Sequence, residues 1–177
     1  MCDVRVYLPT TLPDLSARLR LDATGRPADA RAVVADAGGI GFAVTAGLRE
    51  WYREGDLEEL EYVALTHAAR RSLRLIASSG SAGAQRRVVL AVDVSDGDVV
   101  AVPNVDVAAV RVGAAVSLEA VAAVHVDDPA VATDVEAAAR LVEAADAGDD
   151  DARFTVDGLD DFELQWYATQ ELGALVV

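Results

Sequence analysis

Arg87-Val88-Val89-Leu90-Ala91-Val92-Asp93-Val94 is a near-continuous apolar run. Such a run, bounded by turn residues, reads as a β-strand covered on both faces. Ser95-Asp96-Gly97-Asp98 turns the chain immediately afterwards. Valine-rich stretches at 99–102, 107–112 and 122–126 then read as further strands. Strands that follow one another through short connections favour antiparallel pairing, and this excludes an alternating, doubly wound sheet.

Upstream, Val4, Val6 and Leu8 alternate with Arg5 and Tyr7, the pattern of a half-buried strand that Pro9 is expected to end. Thr11 is placed to cap a short helix reaching about residue 20, with Asp14 reaching back to it. Residues 42–44 read as a short strand. Thr45 then caps a helix that carries Leu48, Trp51 and Tyr52. Gly55 ends that helix, and Asp56-Leu57-Glu58-Glu59 is a capping box for a long helix to about residue 77. Leu57, Leu60, Ala64, Ala68 and Ser72 recur along one of its lines, with Leu65, Ala69, Leu73 and Ile76 beside them.

Downstream, Asp128-Pro129 turns the chain towards a helix whose box is expected at Thr133-Asp134-Val135-Glu136. Its buried face is Val131, Val135, Ala138, Val142 and Ala145, and Gly148 closes it. Asp149-Asp150-Asp151 reads as a charged linker, Phe154 and Val156 as a short edge strand, and 159–172 as a final helix. The expectation is a single α+β domain over 1–177, with a mixed, mainly antiparallel sheet and helices packed mostly on one face. Residues 22–40, with one short helix around 28–36, and residues 78–85 are expected to be flexible loops.

The composition narrows the compartment and the partners. The chain has 177 residues, of which 53% are hydrophobic, and most of these are Ala and Val. Fifteen basic residues face 30 acidic ones, a net charge of −15, and every basic residue is arginine. GC-rich coding bias explains that usage; adaptation to high salt, or mimicry of a polyanion, is the alternative. Either way, such a surface repels nucleic acid and anionic membrane. A single cysteine, Cys2, excludes an intramolecular disulfide and suits a reducing compartment. The start lacks a basic region followed by an apolar run, and no stretch approaches the ~18 apolar residues of a membrane helix. A cytoplasmic protein is expected.

The residues that carry chemistry are few. His125 and Asp127, two apart on a strand, project to the same face; a carboxylate beside an imidazole supports acid–base work. No nucleophile motif accompanies them, and the competing reading is an exposed pair on a solvated face. Asp127-Asp128, the run 149–151 and Asp157, Asp160 and Asp161 match no metal loop, so no metal or cofactor is expected. His67, Arg70, Arg71 and Arg74 form a basic stripe on one helix, which Arg86 and Arg87 can extend. Arginine forks there suit an anion, carboxylate or phosphate; the alternative is pairing with the chain's own acids. Trp51-Tyr52 and Trp166-Tyr167 hold both tryptophans and two of the four tyrosines. On a helix, neighbours point about 100° apart. One ring of each pair is therefore expected inside and the other near the surface, where it can meet a partner.

Val4-Arg5-Val6-Tyr7-Leu8-Pro9, Phe42-Ala43-Val44-Thr45 running into Leu48-Arg49-Glu50-Trp51-Tyr52, Glu59-Leu60-Glu61-Tyr62, Val124-His125-Val126-Asp127-Asp128 and Trp166-Tyr167-Ala168-Thr169-Gln170-Glu171-Leu172 together resemble a family of small actinobacterial proteins classed as a domain of unknown function. The resemblance covers nearly the whole chain. It implies a bacterial cytosolic origin and carries no functional residues with it. The expectation is a non-enzymatic interaction or regulatory module that meets a protein partner or a second copy of itself, through Trp51, Tyr52, Trp166 and Tyr167. The alternative is a small metal- or phosphate-dependent hydrolase or transferase using His125 and Asp127.

Overall fold

The structure is a computed structural model that describes residues 3–80 and 85–176. At its centre are two long strands, β1 (Asp3–Thr10) and β4 (Val88–Ser95), paired antiparallel from Asp3↔Ser95 to Thr10↔Val88. β1 also pairs with β3 (Ile40–Phe42), and β4 with β8 (Val121–Val126). β6 (Ala109–Val112) and β5 (Val99–Ala101) extend the sheet beyond β3, and β9 (Gln165–Tyr167) closes the other edge. The order in this seven-stranded sheet is β5-β6-β3-β1-β4-β8-β9, and every ladder is antiparallel. β2 (Val33–Ala35) and β7 (Val116–Ser117) form a separate two-stranded ribbon.

The apolar run in β4 is covered on both sides, as its composition requires. Val88, Leu90 and Val92 join Val6, Leu8, Val124 and Val126 on one face. That face is roofed by α1 (Leu12–Arg18) through Leu15, by the ribbon residue Val34 and by Leu172 of α6 (Leu172–Leu175). Val89 and Ala91 join Tyr7, Phe42, Ala109 and Ala123 on the opposite face. There α3 (Leu57–Ser79) lies across the sheet through Leu60, Ala64, Ala68 and Ala69, with Leu48 of α2 (Ala46–Trp51) beside it. Small residues on both sides let helix and sheet approach closely. The end of α3, Leu73 and Ile76, packs on α4 (Ala132–Asp146) and α5 (Asp150–Asp157). Among the described residues four of the six helices, α2 to α5, thus belong to the α3 side.

The N-terminal caps of α1, α2 and α3 fall where the sequence places them, but the Asp14 side chain does not reach back to Thr11: its Oδ2 accepts from Thr10 Oγ1 and Arg18 Nε instead. Thr11, Thr45 and Asp56 each accept from the backbone N–H three residues on, and Glu59 completes the box on α3. Ser72, in the second half of α3, donates to the Thr10 carbonyl (2.7 Å) and accepts from the Val88 N–H (2.9 Å), which pins the helix to the end of β1 and the start of β4.

Six expectations about the elements are corrected. β1 runs through Pro9 to Thr10, because its pairing with β3 registers at Tyr7↔Phe42 and the missing N–H at Pro9 leaves the β4 register intact. Residues 28–36 hold β2 rather than a helix, since Val33 and Ala35 find partners in β7. α4 begins at Ala132 with no side-chain cap: Asp128 instead accepts from the Ala130 N–H in the preceding turn, and Thr133 falls inside the helix. The run 149–151 is no linker. Asp149 caps α5 and Asp150 and Asp151 fill its first turn, where acids favour the helix dipole. Phe154 and Val156 therefore sit on opposite sides of a helix, the first exposed and the second buried. Finally, the expected helix over 159–172 is a tight turn at Gly158–Asp161, then β9, then a turn at Thr169–Glu171 leading into α6. Of the expected loop at 78–85, residues 78 and 79 belong to α3, which Gly80 caps, and 81–84 lie outside the described residues.

Candidate functional site

The basic stripe lies on α3 as its spacing requires. His67, Arg70, Arg71 and Arg74 border a cleft of 320 Å³ whose other walls are Phe42 of β3 and Val105 and Asp106 from the β5–β6 connection. His67 Nδ1 is 2.8 Å from Asp106 Oδ1, which also accepts from the Ala108 N–H at 2.8 Å, and the imidazole meets the Phe42 ring edge-on at 6.2 Å. Arg70 forks onto Asp160 through Nε and Nη2, and this pairing raises its pKa above the ordinary value. Arg74 Nη2 reaches Asp146 at 2.6 Å. The exposed Arg71 makes no hydrogen bond or ion pair among the described residues. Arg87 does not extend the stripe, because it is buried in the core.

His125 and Asp127 are not brought together as a working pair. His125 is half-buried on β8, between Val89 of β4 and Trp166 of β9, with its ring edge-on to Tyr7 at 6.4 Å. Burial, helped by Arg5, lowers its pKa below 6.5. Burial, helped by Glu61, raises the Tyr7 phenol to about 12. Asp127 lies one residue beyond β8 and is fully buried, not solvated. Its Oδ2 accepts from the Arg87 backbone N–H (2.8 Å) and Nε (2.9 Å), and its Oδ1 from Nη2 (2.7 Å). Among the described residues no group of three or more His, Cys, Asp or Glu is placed to hold a metal ion.

The aromatic pairs divide differently from expectation. Trp51 and Tyr52, at the end of α2, are both exposed (72% and 43%), and Leu48 is the residue of that helix that is buried. Trp166 is 62% exposed, while Tyr167, pointing to the other side of the same strand, packs against the α1-side core. The alternation of a strand, not the rotation of a helix, separates that second pair. Tyr62 (51%) and Phe162 border a shallow crease with Glu163 and Leu164, two residues before Trp166. The sequence reading missed Asp106, Tyr62 and Phe162. The signal for Asp106 was local: an Asp that accepts from the N–H two residues on makes a turn.

An antiparallel sheet with an arginine-lined cleft on one helix and exposed rings at one edge defines an α+β protein with two candidate binding surfaces. The chain belongs to a family of unknown function (DUF6912), whose profile matches residues 4–176. No curated protein and no solved structure matches it. Among the described residues no helix is long and apolar enough to cross a membrane.

Proposed function

We propose that the protein is a non-enzymatic interaction or regulatory module that docks a protein partner along its β9 edge. The observation that carries this reading is the exposure of Trp166, at 62%, in a chain whose core is mostly Val, Ala and Leu. β9 is the terminal strand of the sheet, so its outer backbone groups have no ladder partner among the described residues. An extended segment can add there as a further strand. Trp166, Phe162 and Tyr62 offer anchors beside that edge, and large rings of this kind carry much of the energy of interfaces. Asp161 and Glu163 precede the strand, and Glu58 lies one turn before Tyr62, so the matching segment is basic. Trp51 and Tyr52 supply a second anchor at the α2–α3 corner. The reading keeps the actinobacterial, cytoplasmic setting that the resemblance and the single cysteine imply. The alternative, a hydrolase or transferase on His125 and Asp127, gains no support from a carboxylate whose oxygens are engaged by Arg87.

The test is site-specific photo-crosslinking in cells. A crosslinking residue at Trp166 is expected to capture one discrete protein, whereas one at Val100 on the opposite edge captures none. Capture of the chain itself identifies the partner as a second copy. Equal diffuse labelling from both positions ends the proposal.

A further inference from the structure

We infer that the cleft between α3 and the β5–β6 connection binds a small dianionic oxyanion of the phosphate type. The inference is independent of the β9 reading and rests on how four side chains are held. His67, Arg70, Arg71 and Arg74 stand three, four and seven residues apart on one helix, so their heads line a single concave strip. Two of the guanidiniums are fixed from outside the cleft. Asp160, in the turn after α5, holds Arg70, and Asp146, at the end of α4, holds Arg74. Neither pairing exhausts the donors. A guanidinium has five N–H groups, and Arg70 Nη1 and Arg74 Nε remain unused in the hydrogen bonds of these side chains. Asp106 engages Nδ1 of His67, which leaves Nε2 as the ring's available nitrogen. Between them Arg71 keeps its whole fork.

The chain's own composition sets the ligand class. With 30 acids for 15 arginines, a guanidinium that has not been taken by a tethered carboxylate gains little from a monocarboxylate in solution. A phosphate group carries about two charges and three strong acceptor oxygens, enough to engage Arg71 and a flanking donor together. Arg71 also borders the neighbouring cleft, where Asp14 and Asp36 are paired with Arg18, at 2.9 and 2.8 Å, and not with Arg71. Asp160 and Asp146 balance Arg70 and Arg74, and Asp106 lies beside His67, so Arg71 faces little net positive charge around it and the dissociation constant is expected to be on the order of a millimolar.

The experiment is an NMR titration of backbone amides with inorganic phosphate and, separately, a simple alkyl phosphate. Acetate and sodium chloride at matched ionic strength are the controls. Saturable shifts are expected at Phe42, His67, Val105 and Asp106 with phosphate but not with acetate. Equal response to the alkyl phosphate identifies a phosphorylated small molecule as the ligand class; response to inorganic phosphate alone identifies the free ion. Arg71→Ala, at an exposed and unpaired side chain, is expected to fold and to bind about tenfold more weakly, the loss of one charge-assisted contact. Arg111→Ala, on the exposed side of β6, is expected to bind as the parent does. Shifts no larger than those from chloride, or an affinity unchanged in Arg71→Ala, would overturn the inference. Neither result depends on whether β9 has a partner.

Discussion

At the scale of single residues, the Arg87–Asp127 pair is the most consequential contact in the molecule. Both side chains are almost wholly buried, and the Arg87 Nη2 that meets Asp127 also donates to the Phe162 carbonyl at 3.1 Å. One guanidinium therefore ties the start of β4 to the residue after β8 and to the segment that leads into β9. A buried ion pair is not in itself more stabilising than a well-packed apolar pair, but leaving one charge alone in the core is costly. Asp127→Asn is accordingly expected to lower the unfolding free energy by about 3–5 kcal/mol. Replacing both partners, Arg87→Met with Asp127→Leu, is expected to recover much of that loss. Chemical denaturation of the three proteins checks both statements. A cost below about 1 kcal/mol for Asp127→Asn would mean that water reaches the pair, because exposed pairs fall in that range.

At the scale of elements, the C-terminal helix shows why short segments depend on their surroundings. A Cβ on Gly173 would sit 1.6 Å from the carbonyl oxygen of Gly25, so α6 touches the 22–26 turn backbone to backbone. Gly25 itself takes φ +76°, a conformation that glycine adopts without strain. Gly173→Ala must lift α6 and uncover Leu172, and it is expected to cost about 1–3 kcal/mol, the range for overpacked sites. Hydrogen exchange should locate the loosening at the 22–26 turn and at residues 168–176; unchanged exchange there would contradict the packing. Elements long enough to impose their own periodicity were legible in the sequence: β4, α3 with its capping box, and the buried face of α4. β2, α5 and β9 were not, because their state is set by a partner strand or a preceding cap. Phe154 and Val156 alternate equally well on a strand or across a helix, and Trp166 became a strand residue because β8 offered an edge. The cleft divides along the same line. Its arginines share one helix and could be read from spacing. Asp106, Asp146 and Asp160 reach the stripe from 39, 72 and 90 residues away. A local turn marks Asp106, but nothing local to any of the three ties it to the stripe.

At the scale of the whole molecule, charge opposes compactness. A net charge of −15 on 177 residues leaves more carboxylates than cations to pair them, and self-repulsion of this kind weakens the folded state. Added salt acts in two opposing directions. It screens this repulsion, and it also screens the exposed pairs Arg5–Asp93, Arg18–Asp14 and Arg140–Glu136. Exposed pairs are worth little each, typically under about 1 kcal/mol. Arg87–Asp127, sealed in the core, is barely touched. With acids outnumbering arginines two to one, the relief of repulsion must dominate. The melting temperature is therefore expected to rise as sodium chloride goes from about 0.01 M to about 0.15 M, over which the screening length falls from about 30 Å to about 8 Å. A fall over this interval would mean that the exposed pairs, not the surplus charge, govern stability. The same curve sets the baseline for the cleft. Chloride screens without forming the forked contact that Arg71 offers, so stabilisation by phosphate beyond the chloride curve at equal ionic strength, lost in Arg71→Ala, separates occupancy of a site from the screening of a surface.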